Sequence, residues 1–444
     1  MPQYWIVAAA LACDPFRLPD RVCVEFVIGY RADEMAMAHW FIYTPIYFNP
    51  NYPIGSWTSA SVPLIRKHTM NLILIIVRSV VKTSSHLSRM YVSNLLTFAA
   101  IVMLATVMFL TATLPSTAAA QTSIVPEGAK VEKLFTGIEL TEGVAVAPDG
   151  LVYFSDITFS NQTKQDDGSF HAGHIWVFDP KTEKTKIFRS PSGMSNGIKF
   201  DASGNMVVCE GADYGGRRVT RTDMKTGQSF VIAGMFDNRD FNAPNDVTLD
   251  EKGRIYFSDP RYLGHEPLEQ PVMSVYRIDT DLSIHRIIAD AGKPNGVCVS
   301  PDQKTLYVVC HDNGSTGVIP PIEGNAKPQP KKGHMQLMAY DLHDNGTATF
   351  RKTLVDYYPQ DGPDGLCCDV KGNLYVAERD VTKPGIGVYS AAGKQLEFIP
   401  TELPTNVGFG RGTDANLLYI TAGSSLFRIR LTNAGYHLPA KLRK

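Results

Sequence analysis

One phrase recurs six times between residue 142 and the C-terminus: a polar residue, in most copies Gly or Asp next, then alternating apolar residues, a turn and a second apolar run. The copies read EGVAVAPDGLVYFSD, NGIKFDASGNMVVCE, NDVTLDEKGRIYFSD, NGVCVSPDQKTLYVVC, DGLCCDVKGNLYVAE and TNVGFGRGTDANLLYIT. Their first residues, Glu142, Asn196, Asn245, Asn295, Asp364 and Thr405, are spaced by about 54, 49, 50, 69 and 41 residues. A period of this size built from strand hairpins specifies a radial architecture, and it gathers residues remote in sequence at one place.

In most copies a turn such as PDG, ASGN, EKGR or VKGN joins the two apolar runs, which is a hairpin signal. Further strand-like runs follow, such as HIWVFD, SVYRIDT, QLMAYDL and GIGVYS, each with one more behind it. Four strands per unit is the composition of a propeller blade, and helix-period segments are absent from the repeats. The last copy ends one strand short, whereas a spare strand, KVEKLFTG at 130–137, precedes the first. Pairing that strand into the last blade closes the ring and removes a sheet edge. The expected fold is therefore all-β: a six-bladed β-propeller of four-stranded blades over residues 121–444, closed by an N-terminal strand and preceded by a non-propeller segment.

That segment, residues 1–120, shares nothing with the repeats. Its most readable part is the hydrophobic run at about 94–114, preceded by Arg78, Lys82 and Arg89 and followed by PSTAAAQ. A basic flank, an apolar core and small residues at Ala118 and Ala120 read as a signal peptide cleaved near Ala120. The competing reading is an uncleaved anchor, since about 20 apolar residues span a bilayer. Either way the expected location is exported, periplasmic or secreted, with a membrane role only if the run is retained. The residues before about 90 have no period and read as an overextended start, where poor order is expected.

Composition excludes other classes. Lys plus Arg (43) nearly balance Asp plus Glu (44), so no global basic field points to nucleic acid. Seven cysteines at irregular spacings make neither a dense disulfide scaffold nor a zinc pattern. Most lie in apolar strands and read as small buried hydrophobes; the adjacent Cys367 and Cys368 would point to opposite strand faces. GMSNG at 193–197 matches G-x-S-x-G, but the residues after it alternate as a strand where a nucleophile elbow needs a helix, which removes Ser195 as a nucleophile.

In a propeller the first strand of each blade lines the central channel, so the residue just before it sits on the rim. The rim set here is Glu142, Asn196, Asn245, Asn295, Asp364 and Thr405, all hard oxygen donors without His or Cys. Such a set suits Ca²⁺, and Glu142 with Asp364 would neutralise it. Asn and Asp also cap strand entries with no metal, and Asn196 and Thr405 are the members best left to that role. The second strands return to the same face, bringing loops with Asp156, Glu210, Asp213, Tyr214, Arg218, Asp259, Arg261, Tyr262, His265, His311, Asp312 and Arg379. Together these form a polar surround for a hydroxylated small molecule.

The stretches EGVAVAPDGLVYFSD, NAPNDVTLDEKGRIYFSDPRY, KPNGVCVSPDQKTLYVVC and GPDGLCCDVKGNLYVAE resemble the gluconolactonase/regucalcin (senescence-marker-protein-like) family of six-bladed propellers. The resemblance covers about residues 131–431 and is most specific at PNDV…IYFSDP. It implies a divalent-metal-dependent lactonase, commonly with Ca²⁺ over the channel and Zn²⁺, Mg²⁺ or Mn²⁺ as alternatives. By motif it implies Glu142, Asn295 and Asp364 as metal ligands, with Asn245 beside the metal orienting water or substrate.

The expected reaction is hydrolysis of a small-molecule lactone, gluconolactone-like, with the metal polarising the carbonyl. Asp364 and Asn245 are the catalytic candidates, Asp364 as the base that activates water. Asn245, Arg261, Tyr262 and His265 are the substrate-binding candidates. The alternatives are other esters or phosphotriesters at the same site, or a non-catalytic exported propeller that binds protein or glycan. The insert after Cys310, which accounts for the longest interval, departs from the family pattern.

Overall fold

The computed structural model of the 444-residue chain describes residues 4–11, 23–30, 123–159, 173–316 and 331–440. The chain divides into two compact units, Met1–Thr117 and Ala118–Lys444. In the first, Tyr4–Leu11 pairs antiparallel with Cys23–Tyr30, from Tyr4 opposite Tyr30 to Leu11 opposite Cys23. Both runs are rich in the β-branched and aromatic residues that favour strands, although the reading by period found none there. The hydrophobic run at 94–114 and its cleavage site lie outside the described residues.

The second unit is built from six four-stranded antiparallel sheets. Blade one comprises Leu140–Val146, Val152–Ile157, His174–Asp179 and Lys184–Arg189, hydrogen-bonded in that order. Blades two to five open with the inner strands Ser195–Phe200, Val247–Leu249, Pro294–Val299 and Pro363–Cys368. Blade six carries Pro404–Phe409, Leu417–Ala422 and Ser425–Arg430, and its outer strand is Glu132–Thr136 from the start of the unit. That strand pairs antiparallel with Ser425–Arg430, placing Phe135 opposite Leu426. The closure expected from the missing strand is the one present.

Burial follows the same logic. Inner strands such as Pro294–Val299 and Pro404–Phe409 are buried at every position, whereas the outer strand Ala348–Asp356 buries none fully. The apolar side chains between adjacent sheets form separate clusters. One joins Tyr375 and Val388 of blade five to Val407 and Ile420 of blade six. Another joins Val207 and Cys209 of blade two to Val247 and Phe257 of blade three. Each blade thus buries its faces only against its neighbours, so the stability of any one sheet depends on the ring being complete.

Removing the closing strand tests this dependence. A chain beginning at residue 138 leaves blade six with an open edge, and its thermal midpoint, followed by circular dichroism, falls by about 10 °C or more.

Candidate active site at the channel rim

The rim residues are not placed before the inner strands, as expected, but mostly within them. Five of the six inner strands change register near their start: Glu142/Ala145, Ser195/Ile198, Pro294/Val297, Pro363/Leu366 and Pro404/Asn406. A bulge at this point adds a residue and re-aims the side chains beside it. Asn245 alone precedes its strand, Val247–Leu249.

Glycine makes the arrangement close. A Cβ at Gly197 would stand 2.6 Å from the Asn245 carbonyl oxygen, and one at Gly143 or Gly296 would collide with the carbonyl of Asn196 or Asp364. The backbones of neighbouring inner strands therefore touch, and Gly197 N–H donates to the Asn245 carbonyl at 2.7 Å. The second strands hold rim carbonyls of the next blade: Ser155 Oγ donates to Asn196 O at 2.8 Å and Ser258 Oγ to Asn295 O at 2.5 Å. The aspartates beside those serines hold the entry to the inner strand of their own blade. Asp156 accepts from Ile138 N–H and Glu139 N–H, and Asp259 from Asn242 N–H and Ala243 N–H. Burial pushes the Asp259 carboxyl up to about 7.

Two carboxylates of the expected ring meet in this setting. Glu142 and Asp364 are both buried. Burial, with the Asp364 charge behind it, holds the Glu142 carboxyl well above the usual range. Burial also raises Asp364, against the opposing pull of Arg379 and His311 and a hydrogen bond from Asn295. Arg379 Nη1 stands 3.2 Å from Asp364 Oδ2 and also donates to the Pro404 carbonyl at 3.0 Å. Asn295 Nδ2 donates to the Tyr262 hydroxyl at 3.2 Å, and that hydroxyl donates to the His311 carbonyl at 3.0 Å. Asn245 is buried, with its main chain bonded to Ser258 O and Gly197 N–H.

The other expected members divide. Thr405 is fully buried, and its hydroxyl bonds the Thr141 carbonyl at 2.7 Å and the Thr421 hydroxyl at 2.9 Å, a purely structural role. The next residue, Asn406, reaches Glu142 instead, with Nδ2 3.3 Å from Oε2. Asn196 is buried with its Oδ1 unpartnered, and so is Asp246 Oδ1. Asp246 and Asn406 occupy the position where the other four copies carry Gly, so a side chain at that position was the sequence signal that would have found both.

Among the loop residues, the structure brings Tyr262, His311 and Arg379 to the acids. Arg261 is a correction: it is fully buried, with its guanidinium bonded to Asn242 O at 2.8 Å and to the Glu266 carbonyl and carboxylate. It ties the loop after Asp259 back on itself and presents nothing to the mouth. His265 is half-exposed, 4.1 Å from the Tyr214 ring and 3.8 Å from Asp213 Oδ1. Glu210 is bonded to Arg218 and Thr220 of its own blade and to Arg189 of blade one. Lys293, not foreseen, lies 4.1 Å over the Tyr262 ring and donates to Asn313 Oδ1 at 2.7 Å; burial lowers its ammonium to about 8. Residues 317–330 of the insert lie outside the described residues. Ser195 is buried in a strand, its hydroxyl 3.4 Å from the His174 carbonyl, with no helix behind it.

The donor set fits a hard cation. Among the described residues no three His, Cys, Asp or Glu side chains form a metal-holding group, so the set is two carboxylates completed by carboxamides. Two desolvated acids that repel one another and an orphaned Asn196 oxygen at the same rim are groups a divalent cation would satisfy.

The family model described as SMP-30/Gluconolactonase/LRE-like region matches residues 140–320 and 331–424, and the chain belongs to this family. A gluconolactonase of Zymomonas mobilis is 29% identical over 263 residues, 56% of this chain and 65% of its own length. A lactonohydrolase of Aspergillus oryzae is 27% identical over 273 residues, 57% of this chain and 60% of its own. The chain therefore spans less than two thirds of the length of these relatives. Among solved structures, a gluconolactonase of Xanthomonas campestris superposes with a TM-score of 0.55 at 25% identity, covering 69% of this chain and 91% of that one. The calcium-binding regucalcin of Agrobacterium tumefaciens gives 0.51 at 18%, covering 72% and 99%, a likeness of fold alone.

The reassignment of Arg261 has a measurable consequence. Arg261→Met leaves the Asn242 and Glu266 carbonyls without their donor and the Glu266 carboxylate held only by Asp213 N–H and Tyr214 N–H, and urea unfolding shows a loss of about 3 kcal/mol.

Proposed function

We propose that the protein is an exported, divalent-cation-dependent hydrolase that opens a cyclic ester, a sugar lactone of the gluconolactone type. The observation that carries this is the pair of buried carboxylates, Glu142 and Asp364, set among carboxamides at the mouth of a propeller channel. The named lactonase relatives support the substrate class. Export rests on the basic-flanked apolar run at 94–114.

In this reading Glu142, Asn295 and Asp364 hold the ion, Ca²⁺ before Zn²⁺, Mg²⁺ or Mn²⁺ because every donor is a hard oxygen. A bound cation supplies Lewis-acid polarisation of the ester carbonyl and charge for the oxyanion that develops. Asp364 takes the proton of the attacking water; its raised affinity for protons suits it to that task, and Arg379 keeps it oriented. Asn245 positions the water or the carbonyl. Tyr262, fixed by Asn295 and His311, and His265 at the outer lip are the groups for substrate hydroxyls.

A lactone panel assayed with the full chain should show turnover that chelator abolishes and divalent cation restores. Asp364→Ala should lower turnover by about 100-fold or more while circular dichroism stays unchanged. Full activity of that variant overturns the base assignment, and turnover that survives chelation overturns the metal requirement.

The same acids set a pH dependence. In the cation-free protein Glu142 and Asp364 retain protons that the unfolded chain has released. The contribution of each therefore falls as pH climbs above its ordinary value, 3.8 for Asp364 and 4.5 for Glu142, until both are ionised. A cation displaces those protons. The rise in thermal midpoint that Ca²⁺ gives over chelator should be larger at about pH 8 than at about pH 5, and should shrink in Asp364→Asn.

A further inference from the structure

The far end of the channel holds a group of cysteine side chains. There a cavity of about 90 Å³ is lined by the later residues of the inner strands, Cys298, Cys367 and Cys368 among them, and by Tyr436 and His437 of the C-terminal tail. The tail crosses this end of the ring: Tyr436 N–H donates to the Cys368 carbonyl at 3.0 Å, and Tyr436 Oη donates to Glu251 at 2.7 Å.

Within this layer Cys298 Sγ lies 3.0 Å from Cys368 Sγ, a contact between residues 70 positions apart. Cys298 belongs to the inner strand of blade four and Cys368 to that of blade five, and both are buried. Neither thiol has a good alternative partner, the nearest being the Val299 carbonyl at 3.6 Å from Cys298 and 3.9 Å from Cys368. By contrast Cys310 has a carbonyl at 3.2 Å. Two thiols whose other contacts are these long ones to a single carbonyl, facing one another across a seam between sheets, need little movement to reach bonding distance.

We propose that Cys298 and Cys368 form a disulfide that staples blade four to blade five at the closed end of the channel. Oxidation breaks two S–H bonds and forms one S–S bond; the two protons and two electrons pass to a small disulfide oxidant, which leaves as two thiols. An oxidising compartment provides such an oxidant, and the reaction belongs to the stage before the tail covers the pair. The seam is where a staple acts most, because adjacent blades are joined chiefly by side-chain packing while each sheet has its own hydrogen-bond ladder. Cys367, beside the pair, is half-buried and stays free. The proposal rests on the export part of the proposed function and not on the hydrolase part, and its test uses no substrate.

The full chain is refolded in a buffer of oxidised and reduced glutathione, alkylated under denaturing conditions and mapped by mass spectrometry without reduction. The expected result is one cross-linked peptide pair containing Cys298 and Cys368, lost on reduction, with Cys367 alkylated. Cys367→Ser should retain the link, while Cys298→Ser and Cys368→Ser should abolish it. Dithiothreitol should lower the thermal midpoint of the unaltered chain by about 5 °C and leave the latter two variants unmoved. The mapping of the unaltered chain stands even if a variant fails to fold. Complete alkylation of Cys298 and Cys368 after oxidative refolding, or a link made through Cys367 instead, overturns the proposal.

Discussion

The molecule depends on how closely the six inner strands approach one another around the channel. At Gly143, Gly197 and Gly296 the neighbouring blade's carbonyl occupies the space a side chain would need, and at Gly408 it is Val144 O at 2.6 Å from an added Cβ. This backbone contact sets the width of the rim. Serine follows phenylalanine at 155 and 258, and each hydroxyl caps a rim carbonyl of the next blade. The adjacent aspartates then fix the approach to each inner strand. Rim side chains are thus held by main-chain geometry, the most rigid support available to a site.

That rigidity bears an electrostatic cost. Glu142, Asp246 and Asp364 are all buried near one another, and burial raises each carboxyl above its usual range. The chain supplies partial relief through Arg379 and Asn295 on one side, Asn406 on the other, and Lys199 deeper in the channel, whose charge opposes the shift of Asp246. The Oδ1 atoms of Asn196 and Asp246 remain unpartnered. A site optimised for the stability of the bare protein would not combine these features, whereas one that binds a cation would.

The sequence displays the ring far better than the details of its rim. Alternation of apolar residues and turn signals disclosed the blades, and the missing strand disclosed the closure, because both follow from burial over many residues. The rim is decided by single residues at bulges. There Thr405 has the structural role expected of it, while the next residue, Asn406, faces the opposite way and reaches Glu142, which the repeat's first position did not reveal. Asn196 looked dispensable, yet its carboxamide oxygen is one of the orphaned atoms. Arg261 was misread for another reason: the loop after Asp259 folds inward on Glu266, a tertiary event that no local pattern encodes. Asp156 and Asp259, which looked like polar surroundings of a ligand, are main-chain anchors.

Closure by Glu132–Thr136 places the beginning and the end of the repeat region side by side in one sheet, with Arg428 reaching Glu132 at 2.8 Å and Glu183 at 3.2 Å. A chain of this design cannot complete its last blade until its first strand is available, so the two ends report on each other. Whatever removes or retains the segment ahead of residue 130 must leave that strand free to enter the sheet. The boundary between the N-terminal segment and the propeller is thus bounded by architecture: Glu132–Thr136 belongs to the ring although it precedes every repeat.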